Sequence, residues 1–202
     1  MTRLIVALGA AYFCGAIPFG YLLVKLKTGR DVRSMGSGNI GATNVLRTTG
    51  RLAGLLTLLL DIAKGYLAVW LAGRLTGGSV PAMSGAALAV MLGHAFPVFL
   101  RFRGGKAVAS FLGAFLCLAP LAILGAVATF AVVVWRTRYI SMGSMISAGA
   151  FPLAVWLLEH PPWVVIVTAA VGGAFIIWRH KENIRRLRAG TENVFSLRGR
   201  RS

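Results

Sequence analysis

Long runs almost free of charge alternate with short clusters of lysine and arginine, and this alternation constrains the chain more than any other feature. The runs cover residues 4–24, 52–73, 75–100, 107–135, 139–158 and 161–178, and only 52–73 is interrupted, by Asp61 and Lys64. About 20 apolar residues in a helix cross the roughly 30 Å hydrocarbon core of a bilayer. A soluble domain carries about a quarter charged residues. Here 13% of 202 residues are charged and 57% are hydrophobic. Almost nothing is left over for a soluble part, so residues 1–202 are expected to form a single polytopic membrane domain. No internal repeat and no low-complexity tract is visible.

The first run is not expected to be a cleaved signal peptide. Only Arg3 precedes it, it is long for a signal core, and no small-x-small cleavage site follows. Cys14 and Cys117 lie far apart inside apolar runs, which suits small apolar fillers better than a disulfide or a zinc site. A net charge of +17 points to nucleic acid in a soluble protein, but in a membrane chain it reports topology. No nucleic-acid partner is expected.

Run 107–135 decides the span count. It is too long for one span and short for two. A single crossing gives six spans and places the basic tail from Arg179 onward opposite the loop 101–106. Two crossings with a tight turn near Pro120 give seven and gather the basic clusters on one side. That side then holds 19 of the 22 lysines and arginines, and Arg3, Arg74 and the mid-span Lys64 are the remainder. The expected fold is therefore an all-α integral membrane protein of seven transmembrane helices. The N-terminus is outside, the C-terminus is cytoplasmic, and the two helices of the hairpin are short, the first starting near Gly104.

Three polar segments stand out. The first runs from Ser34 to Arg47 and includes Ser37, Gly38, Asn39, Thr43 and Asn44. Glycines can turn backbone N–H groups inward as an anion nest. Ser37, Thr43 and Asn44 add donors, and Arg47 adds a forked cation suited to phosphate. An ordinary flexible loop accounts for the composition equally well. The second segment, Gly93 to Lys106, ends in Gly104-Gly105-Lys106 before an apolar helix, a pattern suited to phosphate at a helix N-terminus. It is not a Walker A motif. His94 lies within a span, where a histidine is either functional, a cap or an interhelical hydrogen bond. Arg101 and Arg103 read as topology anchors. In the third, His180 to Glu192, His180 and Asn183 share a helix face, and Arg185, Arg186 and Arg188 suit lipid headgroups. Asp61 and Lys64, three apart, can pair within their span. Ser141 and Ser144 open a later span, where their hydroxyls can cap the helix or hold a ligand.

Together these segments resemble the acyl-phosphate-dependent glycerol-3-phosphate acyltransferases, the bacterial PlsY family. The resemblance is carried by Gly36 to Asn44 with Arg47, by Gly93-His94, Phe96-Pro97 and Gly104 to Ala109, and by His180, Asn183-Ile184, Arg186-Leu187, Gly190 and Glu192. Asp61-x-x-Lys64-Gly65 and Arg138-Tyr139-x-Ser141 also fit, so the match runs in order from the first loop to the tail. It implies a seven-span helical fold in the bacterial cytoplasmic (inner) membrane with the active site at the cytoplasmic face. The implied substrates are acyl-phosphate and glycerol 3-phosphate, and the implied product is 1-acyl-glycerol 3-phosphate (lysophosphatidic acid). Carried over by position, Ser37, Arg47, Lys106, His180 and Asn183 are the expected catalytic set. Gly38, Asn39, Thr43, Asn44, Gly104, Gly105 and Ser141 are the expected substrate-binding set. Membrane lipid is the surrounding partner, and no obligatory protein partner is expected.

The chemistry fits. The fifth residues after His94, His160 and His180 are Phe99, Val165 and Arg185, so the His-x-x-x-x-Asp arrangement of other glycerolipid acyltransferases is absent. There is also no Gly-x-Ser-x-Gly elbow, which argues against a covalent acyl-enzyme. With five acidic residues, no metal and no cofactor is expected. The rival reading, a transporter of a phosphorylated anion, calls for substrate groups at mid-membrane within an inverted repeat, and here the polar signatures gather at one face. A lipid-binding scaffold leaves the Gly-Ser-Asn loop unexplained.

Overall fold

A computed structural model describes residues 1–195, and Arg198, Arg200 and Arg201 of the basic tail lie outside the described residues. Among the described residues every regular element is helical. The chain divides into two compact units, meeting in sequence between Leu118 and Ala119.

The first unit starts with α1 (Thr2–Ala16) and α2 (Phe19–Thr28). They are one apolar run broken at Ile17-Pro18. Proline has no N–H to continue the ladder and forces the preceding residue to be extended, and Ile17 has φ −64° and ψ 113°. After α3 (Ala42–Thr49) come α4 (Arg51–Thr76), α5 (Val80–Ala95) and α6 (Val108–Leu118). Lipid gives little hydrophobic drive for helices to associate, so close packing through small residues has to do it. A Cβ on Gly15 would strike the Val90 backbone, and one on Gly93 that of Tyr12, so α1 and α5 approach closely. Gly65 against Ser110 and Gly113 against Ile62 do the same for α4 and α6. The buried cluster between these helices is mostly alanine, with Val69 and Val90 as its largest members.

The second unit contains α7 (Pro120–Thr137), α8 (Ile140–Glu159), α9 (Trp163–Arg179) and α10 (Lys181–Arg188). Short links make α7, α8 and α9 successive packed neighbours. Glu159 Oε1 accepts the amides of Leu121 (2.5 Å) and Ala122 (3.2 Å), so a carboxylate caps the positive N-terminal end of α7. The chain bends by 54° between α9 and α10, and α10 carries its charge on one side with Asn183 buried on the other.

By length and apolarity, five stretches can cross a membrane: Thr2–Thr28, Arg51–Thr76, Val80–Leu100, Pro120–Thr137 and Ile140–Glu159. The pair Trp163–Arg179 and Lys181–Arg188 makes a sixth if it is counted as one bent span. Run 107–135 breaks before Pro120, at Ala119, but unevenly. Two short halves were expected, yet α6 has 11 residues and α7 has 18. At 1.5 Å per residue, α6 covers roughly half of the hydrocarbon thickness. Its start also differs from expectation. Residues 104–107 are not helical, and α6 begins at Val108 after Ala107 turns through the left-handed region at φ 63°.

Candidate active site

In the first unit two loops carry the polar signatures. Gly36 (φ 57°) and Gly38 (φ 71°) supply left-handed turns on either side of Ser37, which is exposed. The loop is organised by Asn44, a buried residue. Its Oδ1 accepts the Ser37 amide (2.9 Å), and its Nδ2 donates to the carbonyls of Asn39 (2.8 Å), Met35 (3.0 Å) and Val32 (3.4 Å). Asn39 Oδ1 accepts the Gly41 amide at 2.7 Å, and the Gly38 amide donates to Met35. The amides of Ser37, Gly38 and Gly41 therefore point into the loop itself. The expected anion nest is not made from them, because the asparagines and a turn claim them first. Of the segment's side-chain donors, Ser37 and Arg47 are exposed and Thr43 is half-buried.

The second loop follows α5. Arg101, Phe102 and Ala107 all have positive φ without being glycine, a conformation that persists only where the surroundings impose it. The imposing contacts are backbone bonds: Phe102 N–H to the Pro97 carbonyl, Gly104 N–H to Ala95 and Gly105 N–H to His94. Gly104 and Gly105 were expected to offer their amides to phosphate. Instead these amides donate to the end of α5, and the absence of side chains lets the loop lie against it. A Cβ on Gly105 would overlap the His94 ring. Lys106 is half-buried next to this anchor. The two loops share a floor of Val24, Val32, Ile40, Val45, Ala53 and Leu100. They are also tied by Arg33, which forks onto Asp31 (2.7 Å) and donates to the Leu100 carbonyl (3.3 Å). Arg33 holds the Asp31 carboxyl below its ordinary value, mainly through that hydrogen bond.

In the second unit the organiser is Glu192, which lies just beyond α10 and is buried. Its Oε1 accepts Ser141 Oγ (2.8 Å) and Asn183 Nδ2 (2.7 Å), and its Oε2 accepts Arg186 Nε (2.7 Å). Burial pushes this carboxyl up, but the bonds from Asn183, Arg186 and Ser141 outweigh burial and hold it below the ordinary glutamate value. Ser141 and Asn183 were expected to bind substrate, and both are oriented here by this one carboxylate. Glu192 itself was noted only as the end of a signature. It is one of two acidic residues in the basic tail, and that rarity was the signal. His180 is buried and bonds Ile176 O through Nδ1 at 2.8 Å. A carbonyl can only accept, so Nδ1 carries a proton and donates to it. The shared face of His180 and Asn183 is the buried one.

The sequence model described as glycerol-3-phosphate acyltransferase matches residues 5–190, which takes in the first two polar signatures and the third as far as Gly190. The chain belongs to this family. It is a membrane-embedded acyltransferase of phospholipid synthesis, of the PlsY type. A glycerol-3-phosphate acyltransferase of Syntrophotalea carbinolica is 47% identical over 96% of this chain and 99% of its own, and one of Trichlorobacter lovleyi is 50% identical over the same shares. Among solved structures, the crystal structure of the integral membrane glycerol 3-phosphate acyltransferase PlsY in its glycerol 3-phosphate form matches with a TM-score of 0.90 at 37% identity, over 96% of each chain. The lysophosphatidic acid form of PlsY matches with a TM-score of 0.87 at 36% identity, over 96% of this chain and 95% of that one. The acyltransferase described here thus shares both sequence and helical architecture with enzymes of this activity.

Proposed function

We propose that the acyltransferase moves a fatty acyl group from acyl-phosphate to the 1-hydroxyl of glycerol 3-phosphate, releasing phosphate and lysophosphatidic acid by direct attack, without an acyl-enzyme. The observation that carries this reading is the family match over 5–190, which includes the first two polar segments and the third as far as Gly190. An acyl-phosphate is a mixed anhydride whose leaving group is already a stable anion, so no strong general acid is needed. The site has to hold two anionic substrates against their repulsion, aim a hydroxyl at a carbonyl and stabilise the oxyanion.

In this reading Lys106 binds the phosphate of the acyl donor and Arg47 shares the phosphate charge. Ser37 donates to a phosphate or to the oxyanion. His180 and Asn183 orient glycerol 3-phosphate, with Ser141 beside Asn183 on Glu192. Thr43, Gly38 and Asn39 line the first loop, Asn44 acts through its shape, and Gly104 and Gly105 act by letting Lys106 lie close to α5. The proton of the attacking hydroxyl leaves through a substrate phosphate or water, while His180 hydrogen-bonds substrate through Nε2. The same reading keeps the seven-helix arrangement, α6 being the short member, in the bacterial cytoplasmic membrane. The N-terminus is outside, and the three polar segments face the cytoplasm.

The deciding assay supplies purified protein with labelled glycerol 3-phosphate and, separately, acyl-phosphate or acyl-coenzyme A. Label is expected in lipid only with acyl-phosphate, and transfer from the thioester alone would overturn the donor assignment. Orientation is checked by single-cysteine labelling in a background lacking Cys14 and Cys117. Positions 103 and 190 are expected to react from the same, cytoplasmic side, and opposite sides would remove the seven-helix arrangement.

A further inference from the structure

Asp61, Lys64 and His94 form a buried cluster in the first unit to which the proposed mechanism assigns no role. Each is at most 4% exposed. Lys64 Nζ lies 2.7 Å from Asp61 Oδ1 and donates to the Ile17 carbonyl at 2.9 Å, at the break that Pro18 makes in the first run. It also sits over the Phe19 ring. His94 Nδ1 lies 3.6 Å from the same Asp61 oxygen. The other edge of that imidazole faces the loop that carries Lys106. A Cβ on Gly105 would clash with His94 Nε2, and the His94 carbonyl accepts the Gly105 amide at 3.0 Å. Gly105 is not among the residues with positive φ, so nothing in its backbone demands glycine. What demands it is the ring.

Helix packing alone does not call for this cluster. Apolar residues of the same volume hold helices together at least as well as buried charges, which are costly to desolvate. The cluster does supply a fixed imidazole edge at one defined height beneath Gly105, one residue from the lysine. We propose that Asp61 and His94 are positioning residues for the phosphate-bearing substrate held by Lys106. The carboxylate, neutralised by Lys64, faces the Nδ1 edge of the imidazole as a near charge at 3.6 Å, and the Nε2 edge sets where Gly105, and hence Lys106, lies. This inference rests on the reading of Lys106 as a phosphate ligand.

The test uses the full chain in detergent and reads KM and kcat for acyl-phosphate and for glycerol 3-phosphate, with thermal unfolding alongside. Lys106→Arg, which keeps the charge but changes its shape, identifies the substrate whose KM depends on the loop. Gly105→Ala is expected to raise that same KM about tenfold in protein that still folds, and Asp61→Asn and His94→Gln about threefold, leaving the other KM alone. In His94→Ala the Cβ has room, so adding Gly105→Ala there should cost little more. Independent, multiplicative effects in that pair, or loss of folded protein with both KM values unchanged, would overturn the inference. If His94→Ala does not fold, Gly105→Ala and Gly105→Ser decide, since they keep Asp61, Lys64 and His94 as residues. KM rising with side-chain size supports the inference, and a flat KM removes it. A Lys106→Arg enzyme with neither KM altered would instead sink the Lys106 reading itself.

Discussion

The two units build their polar segments in opposite ways. In the first, Lys106 on a loop and Arg47 in the last turn of α3 stand beside backbone shaped mainly by uncharged groups: the Asn44 amide threads four backbone atoms, glycines permit close approach, and loop amides bind backbone carbonyls. In the second, one carboxylate gathers a hydroxyl, an amide and a guanidinium. The carboxylates of the first unit's cluster and loops are already paired, Asp31 with Arg33 and Asp61 with Lys64, and under the proposed function that leaves an amide framework to shape the loop without neutralising Arg47 or Lys106. A segment that orients neutral donors tolerates a carboxylate and uses its strong acceptor geometry.

The largest effect expected from this contrast is on the cations. Lys106→Ala and Arg47→Ala should each lower kcat/KM by about 10²–10³-fold or more while the protein elutes and unfolds as the wild type does. A well-folded Lys106→Ala enzyme with wild-type turnover would end the contrast. Next is Glu192→Ala, which strands Asn183, Ser141 and Arg186. It should cost roughly 1–3 kcal/mol, read as a lower unfolding temperature, and activity should fall with it. The pH dependence follows from the depressed carboxyl. Its stabilisation is fully present above the unfolded value of about 4.5 and is lost as pH falls through the lower folded value. Wild type should therefore lose stability below pH about 4.5 by an increment that Glu192→Gln lacks, and identical pH profiles would show that Glu192 is not the organiser.

His180 sharpens the comparison further. If it positions substrate, His180→Gln keeps appreciably more kcat than His180→Ala at saturating glycerol 3-phosphate. Equal losses, with disappearance of a pH–rate limb near the ordinary histidine pKa of about 6.5, would make it the general base. The smallest effect is expected at Asp31, whose pair with Arg33 is about one-third exposed. Asp31→Asn should cost less than about 1 kcal/mol, and less still at high salt. A loss as large as that of Glu192→Ala would mean that the first loop also depends on a carboxylate.

Features set by local spacing were legible in the sequence. The alternation of apolar runs and basic clusters determined an all-helical membrane protein, because backbone in lipid must satisfy itself within each segment. Pro120 marks a helix break through the missing N–H, while the break at Pro18 inside run 4–24 was not expected, and Asp61 pairs with Lys64 because three residues on a helix bring two side chains together. The order of the polar segments sufficed to name the family. Only the tertiary structure decided what meets across the chain. Ser141 meets Glu192 from 51 residues away, His94 closes on Asp61 from another helix, and Gly105 lies on His94. The same holds for the direction of loop amides. Composition said that Ser37, Gly38, Gly104 and Gly105 could offer N–H groups to an anion, but whether an amide faces a ligand or its own chain depends on φ and ψ and on which acceptor is nearer. Periodicity records only neighbours on one helix, and these partners come together when the helices pack.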